Sequence, residues 1–172
     1  MSDVGVTRRV AFGLGANVGD RLHYLQLAVN GIVAHPDIEL VGVSQVYETV
    51  PVGGPHQSDF LNAVVVADSA LALADLLALA QRCEKEAGRV RRERWGPRTL
   101  DVDLLAVGDE RSDDSRLTLP HPRIGERAFV LAPWADVDPE FVVRDDTTVR
   151  DLLDRIDITG IRESDEKLQV AA

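Results

Sequence analysis

At 172 residues, 45% hydrophobic and 28% charged, the chain has the composition of one ordinary domain with enough apolar residues for a substantial core. A formal net charge of −10 opposes general binding to nucleic acid or an anionic membrane, because the sequence-independent part of such affinity comes from clustered basic charge. One cysteine, Cys83, allows no internal disulfide and suits a reducing cytoplasm, while the lack of an N-terminal apolar signal region or a run of about 18 apolar residues argues against secretion and membrane spanning.

Arg9 to Leu14 alternates toward an apolar strand and runs into a glycine-rich turn, Gly13-Leu14-Gly15-Ala16-Asn17-Val18-Gly19. Its GxGxxxG spacing, with no acid closing a second strand about 20 residues on, does not make a dinucleotide fingerprint. Asp20 is placed to cap a helix whose Leu22, Leu25, Ala28, Ile32 and Val33 keep helical spacing until His35-Pro36. Ile38 to Thr49 is strand-like, and Val50-Pro51-Val52-Gly53-Gly54-Pro55 breaks it into a loop. Asp59 to Ala67 predicts a second strand in which Phe60, Asn62, Val64 and Val66 share one face. Asn62 is the odd polar member, and a buried amide pairs either with protein or with a polar ligand. Leu71 to Ala87 is an amphipathic helix closed by Gly88, with Glu84 near an end where an acid opposes the macrodipole.

The next stretch, Gly88 to Asp103, has the character of a site. Arg89, Arg91, Arg92, Arg94 and Arg98 accompany a single acid, Glu93, inside a strongly acidic chain. Guanidinium forks match phosphate oxygens, so this loop reads as a clamp for a small polyanion. The only lysines, Lys85 and Lys167, follow no Walker-type glycine pattern, which excludes a P-loop. From Thr99 to Val107 the pattern alternates, with Leu100, Val102 and Leu104 on one side and Asp101 and Asp103 on the other. Two carboxylates about 6.6 Å apart along a strand can converge on shared hard cations, and magnesium takes a few carboxylates plus substrate phosphates.

Beyond that strand come a polar turn, Gly108 to Arg116, a short run Leu117 to Pro120, a mostly helical stretch Arg123 to Asp136, and a short helix Val149 to Ile156. The order β-α-β-β-α-β with appended C-terminal helices is that of a ferredoxin-like α+β sandwich. One domain is expected over residues 1–162, followed by an acidic tail, 163–172, expected to be disordered.

The run Arg89-Val90-Arg91 followed by Arg94-Trp95-Gly96-Pro97-Arg98-Thr99-Leu100-Asp101-Val102-Asp103 resembles the signature of 6-hydroxymethyl-7,8-dihydropterin pyrophosphokinase, an enzyme of folate biosynthesis. The resemblance extends to Gly15-Ala16-Asn17, Tyr47 to Thr49, Gln57 to Ala63, and Leu119-Pro120-His121 through Arg127-Ala128-Phe129. It implies transfer of the β,γ-diphosphate of ATP to the hydroxymethyl group of the pterin, with release of AMP. It implies two Mg2+ ions on Asp101 and Asp103, and a triphosphate surrounded by Arg89, Arg91, Arg92, Arg98 and Arg127, with His121 and Glu84 toward the nucleotide. For the pterin it implies stacking between Phe60 and Phe129, an edge formed by Thr49, Val50, Val52 and Asn62, and Trp95 closing on the pterin side. The implied substrates are ATP and the pterin; the lack of a spare apolar helix face points to a monomer, and the cysteine count and charge already noted point to the cytoplasm and away from nucleic acid and membrane. Ala16, Arg92 and Pro122 depart from the residues most frequent in the family, and none of them removes a metal ligand.

Two other classes compete. A non-catalytic ferredoxin-like module explains the element order but not why Asp101 and Asp103 adjoin five arginines. A two-metal nuclease would use the aspartates, but the net charge of −10 opposes a polynucleotide.

Overall fold

In a computed structural model that describes residues 5–49, 59–88 and 99–170, regular structure begins with a nine-residue strand, β1 (Arg8–Ala16). Gly19, at φ +67°, turns the chain, and the Asp20 side chain accepts the His23 N–H at 3.2 Å to start α1 (Arg21–Val33). The strand pattern that follows is split into β2 (Ile38–Val43) and β3 (Tyr47–Thr49). Ser44 makes the break: its hydroxyl accepts the Val64 N–H at 2.8 Å while its own N–H donates to the Val64 carbonyl at 2.9 Å. The chain then forms β4 (Phe60–Ser69), α2 (Leu73–Glu86) and β5 (Asp101–Val107).

A hairpin, β6 (Ser112–Asp114) with β7 (Leu117–Leu119), occupies the expected polar turn. The stretch expected to be one helix is interrupted: a 3-10 turn over Ile124–Glu126 ends at Arg127, which is extended, and α3 (Ala128–Val137) starts after it. A second hairpin, β8 (Val142–Arg144) with β9 (Thr147–Thr148), leads into α4 (Val149–Asp154). That helix starts in a capping box, with Thr148 Oγ1 accepting the Asp151 N–H and Asp151 accepting the Thr148 N–H. The last strand is β10 (Ile161–Glu163).

The main sheet runs β10-β3-β4-β1-β5, with β2 also paired to β4, and every pairing is antiparallel. One face carries Phe12, Leu14, Leu61 and Val65 against Leu25 and Ile32 of α1 and Leu76 and Leu79 of α2. The other carries Ala11, Val64, Val66 and Leu105 against Leu131 and Trp134 of α3 and Val149 and Leu152 of α4. The inner strands are therefore covered on both sides, which is why β4 reads as an almost unbroken apolar run. Trp134 is fully buried and lies 5.3 Å from the Phe141 ring, and truncating such a residue to alanine costs about 3–5 kcal/mol. Cys83 lies buried between the first two helices, where desolvation pushes its thiol up to about 11, so it serves as a core residue.

The tail expected to be disordered makes specific contacts within its described part. Its first residue, Glu163, ends the strand that pairs with β3, the Ser164 N–H donates to the Val46 carbonyl at 2.7 Å, and Leu168 packs on the first core. Gln169 and Gln26 exchange two hydrogen bonds of 2.8 Å. Three residues with one apolar side chain carry no recognisable alternation, so pairing rather than pattern defines β10.

Candidate active site

The site is built on a row of residues that cross the sheet. Gly15 of β1 is in register with Asn62 of β4 on one side and Asp101 of β5 on the other, and Asn62 is in register with Tyr47 of β3. The next row joins Val64, Gly13 and Asp103. Directly opposed residues of an antiparallel pair project to the same side, so all of these face the α3 side of the sheet. Gly13 and Gly15 thus lie inside β1, not in the glycine-rich turn expected from the sequence, and they form the floor between Asn62 and the two aspartates. A Cβ on Gly15 would meet Asn62 Oδ1 at 3.2 Å, so the missing side chain lets the Asn62 amide lie across the strand.

Asn62 and Thr49 are both buried, 5% and 6% exposed, and Asn62 Nδ2 donates to Thr49 Oγ1 at 2.8 Å. That bond takes one of the four hydrogen-bonding positions of the amide. Phe60, half-buried at the start of β4, is the register partner of Thr49. Tyr47 ties β3 to α3, its hydroxyl donating to both oxygens of Asp136 at 3.0 and 2.8 Å. Burial first, and then Asp136, hold the Tyr47 hydroxyl well above its usual range, so it stays a donor.

Asp101 and Asp103 are half-buried at the start of β5. Opposite them the break before α3 projects Arg127, whose guanidinium carbon lies 5.5 Å from the centroid of the Phe129 ring. Burial lowers the Arg127 pKa, and the charges of Asp103 and Asp101 partly offset this. His121 is fixed at both ends: its N–H donates to the Leu105 carbonyl at 2.8 Å and its Nδ1 accepts the Arg123 N–H at 3.3 Å. Burial, then Arg127 and Arg123, lower its pKa from 6.5 to about 4. A neutral imidazole accepting at Nδ1 carries its proton on Nε2.

Glu84 reaches from the end of α2 to the backbone of β5, where its Oε2 accepts the Val102 N–H at 3.1 Å, between the two aspartates. This contact accounts for an acid at an unfavourable helix end. Val50, Val52, Arg89, Arg91, Arg92, Arg94, Trp95 and Arg98 lie outside the described residues. The glycine floor and the Tyr47–Asp136 bond were missed in the sequence. Glycines at i and i+2 inside an apolar alternation were the available signal for the first, and nothing local signals the second.

Among the described residues no group of three or more histidine, cysteine or carboxylate side chains could cage a metal. Magnesium bound together with phosphates asks for only one or two carboxylates, so the donor set of Asp101 and Asp103 fits that ion better than one requiring a full protein cage. No described helix is long and apolar enough to cross a membrane.

Comparison with known proteins gives concordant matches. The family model for 7,8-dihydro-6-hydroxymethylpterin-pyrophosphokinase matches residues 11–139. A 2-amino-4-hydroxy-6-hydroxymethyldihydropteridine pyrophosphokinase of Methylorubrum extorquens is 43% identical over 153 residues, which cover 89% of this chain and 96% of that protein. The protein of the same name from Bacillus subtilis is 46% identical over 124 residues, 72% of this chain and 74% of its own. The crystal structure of wild-type Plasmodium falciparum HPPK-DHPS superposes with a TM-score of 0.67 at 15% identity, over 90% of this chain and 45% of that one. The chain thus spans less than half the length of that solved protein, and the likeness is one of fold.

Proposed function

Because the chain belongs to the 7,8-dihydro-6-hydroxymethylpterin-pyrophosphokinase family, we propose that it transfers the β,γ-diphosphate of ATP to the hydroxymethyl group of 6-hydroxymethyl-7,8-dihydropterin and releases AMP. The observation that carries the assignment is the convergence, on one sheet face, of the Asp101–Asp103 pair, Arg127 and the buried Asn62–Thr49 pair. In this reaction the hydroxymethyl oxygen bonds to the β-phosphorus, the bond from that phosphorus to the oxygen it shares with the α-phosphorus breaks, and the hydroxyl proton is lost. Such a transfer needs positioning and charge stabilisation rather than a covalent protein intermediate.

Asp101 and Asp103 are the residues that would hold two magnesium ions, which supply charge neutralisation of the phosphate oxygens when bound. Glu84 acts through the backbone, fixing the Val102 N–H and with it the spacing of the two aspartates. Arg127 faces the same charges, its guanidinium steadied by the Phe129 ring, and Arg89, Arg91, Arg92 and Arg98 are assigned to the triphosphate with it. Neutral His121 offers an Nε2–H donor on that side. The flat pterin is assigned to Phe60 and Phe129 for stacking and to Thr49, Val50, Val52 and Asn62 for its edge, with Trp95 on the same side. A site built on such hydrogen bonds rejects analogues that lack them.

The strand order β5-β1-β4, flanked by β2 and β3, supports the ferredoxin-like reading, with α3 and α4 added on the second face. We take the protein to be a cytoplasmic monomer acting on small molecules and not on nucleic acid or membrane. Incubation with ATP, magnesium and hydroxymethyl-dihydropterin tests the assignment: AMP and a diphosphorylated pterin are expected, and ADP, orthophosphate or no turnover would reject it.

A further inference from the structure

Arg21, the first residue of α1, touches both β3 and the residue that leads into β4. Its Nη1 donates to Glu48 Oε1 at 3.3 Å and to the Asp59 carbonyl at 2.7 Å. Glu48 precedes Thr49 in the chain and Asp59 precedes Phe60, and Thr49 and Phe60 form the register pair at which β3 and β4 part. The second carboxylate oxygen of Glu48 meets Arg162 Nη2 of β10 at 3.0 Å, so β3 is held through one side chain from both α1 and β10.

We propose that Arg21 is a positioning residue for the pterin: by holding Glu48 and the Asp59 carbonyl together it fixes the Thr49–Phe60 pair, and so the spacing between the hydrogen-bonding edge and one stacking ring. This rests on the assignment of Thr49, Asn62 and Phe60 to the pterin. The need for such a clamp follows from the length of β3. Three residues are too few to hold a strand end against fraying, and this end carries the Thr49 hydroxyl that accepts from Asn62. The Arg21 and Glu48 side chains are 27% and 20% exposed, and a cavity of about 390 Å³ lined by Asn17, Gly19, Arg21, Glu48 and Asp59 opens beside them. Water therefore screens the ion pair and its contribution to overall stability is small, whereas the short bond to the Asp59 carbonyl is directional and sets geometry. The effect falls on substrate placement more than on folding.

Steady-state kinetics and calorimetry of Arg21→Met and Arg21→Lys test this. Arg21→Met raises the KM and Kd for the pterin about tenfold, the scale of one lost hydrogen bond to a charged group, with the Kd of a non-hydrolysable ATP analogue within about twofold of wild type. Arg21→Lys, which keeps a cationic donor, recovers most of the loss. An unchanged pterin constant, or pterin and nucleotide constants rising together, overturns the proposal, because the second result is general loosening. If Arg21→Met does not fold, Glu48→Ala removes one of the two acceptors and is read the same way: a selective rise in the pterin KM upholds the clamp and no rise overturns it. Failure of the assigned activity is distinguishable, since wild type would then release no AMP, and the pterin Kd measured by calorimetry would still report on Arg21.

Discussion

Gly15 lies so close to Asn62 across the β1–β4 ladder that a Cβ on Gly15 would sit 3.2 Å from the Asn62 Oδ1. Asn62 is itself held by Thr49 at 2.8 Å, so the amide has little room to retreat. In Gly15→Ala the gain from replacing a strand glycine, about 0.5–1 kcal/mol, is set against this crowding. The melting temperature should change by no more than a few degrees, roughly the effect of 1 kcal/mol in a domain of this size. The pterin KM should rise severalfold because the amide is displaced. Differential scanning fluorimetry and steady-state kinetics separate the two, and an unchanged pterin KM would remove Asn62 from the pocket.

How much of this site can be read in the sequence depends on the range of the interaction involved. Asp101 and Asp103 show themselves because strand alternation is local: Val102 and Leu104 face one core while the acids face the other side. Asp20 as a helix cap and Asn62 as a polar intruder on an apolar face are legible for the same reason. Gly13 and Gly15 mislead, because glycine weakens a strand on its own and only pairing with β4 and β5 keeps them in one. Arg127 sits in a stretch with helical composition, yet its backbone is extended where the 3-10 turn ends and α3 begins. Arg21, Glu48 and Asp59 lie 27 and 38 residues apart as donor and acceptors, a distance at which sequence pattern carries no signal.

Asp101→Asn and Asp103→Asn should fold normally, since both side chains are half-buried at a strand end and neither belongs to a hydrophobic cluster. Turnover should nearly vanish, because each change removes an anionic oxygen from a hard cation that prefers one. Retention of more than about a tenth of wild-type activity at saturating magnesium, a barrier change below about 1.4 kcal/mol, would refute the metal assignment. Chelation of magnesium should abolish wild-type turnover and restore it on re-addition.

Phe60→Ala should weaken pterin binding while leaving a non-hydrolysable ATP analogue unaffected, since stacking is worth about 0.5–1.5 kcal/mol beyond area burial. Phe129→Ala should weaken both ligands. Its ring lies 5.5 Å from the Arg127 guanidinium, and loss of a cation–π contact of about 0.5–1 kcal/mol lets Arg127 wander, lowering analogue affinity about two- to fivefold. Calorimetric titration of each ligand distinguishes the variants. Equal losses of pterin and nucleotide affinity in Phe60→Ala would show that ring to be a core residue.

The pH dependence of stability should carry the mark of His121. Its folded pKa is lowered from 6.5 to about 4, chiefly by burial and then by Arg127 and Arg123. Between those two values the unfolded chain binds a proton that the folded chain refuses, so this group makes stability fall as pH drops from about 6.5 to about 4 and has no effect above about 7. Protonation would also turn Nδ1 from acceptor to donor and break its bond with the Arg123 N–H at 3.3 Å. His121→Gln cannot titrate. Any difference in melting temperature between the variant and wild type should therefore be constant above neutrality and shift in favour of the variant as the buffer is taken from pH 6.5 toward 4. Parallel curves for the two proteins across that range would mean that the folded imidazole takes up its proton as readily as the unfolded one, and the neutral Nε2–H donor assigned to the nucleotide side would no longer hold at mildly acidic pH.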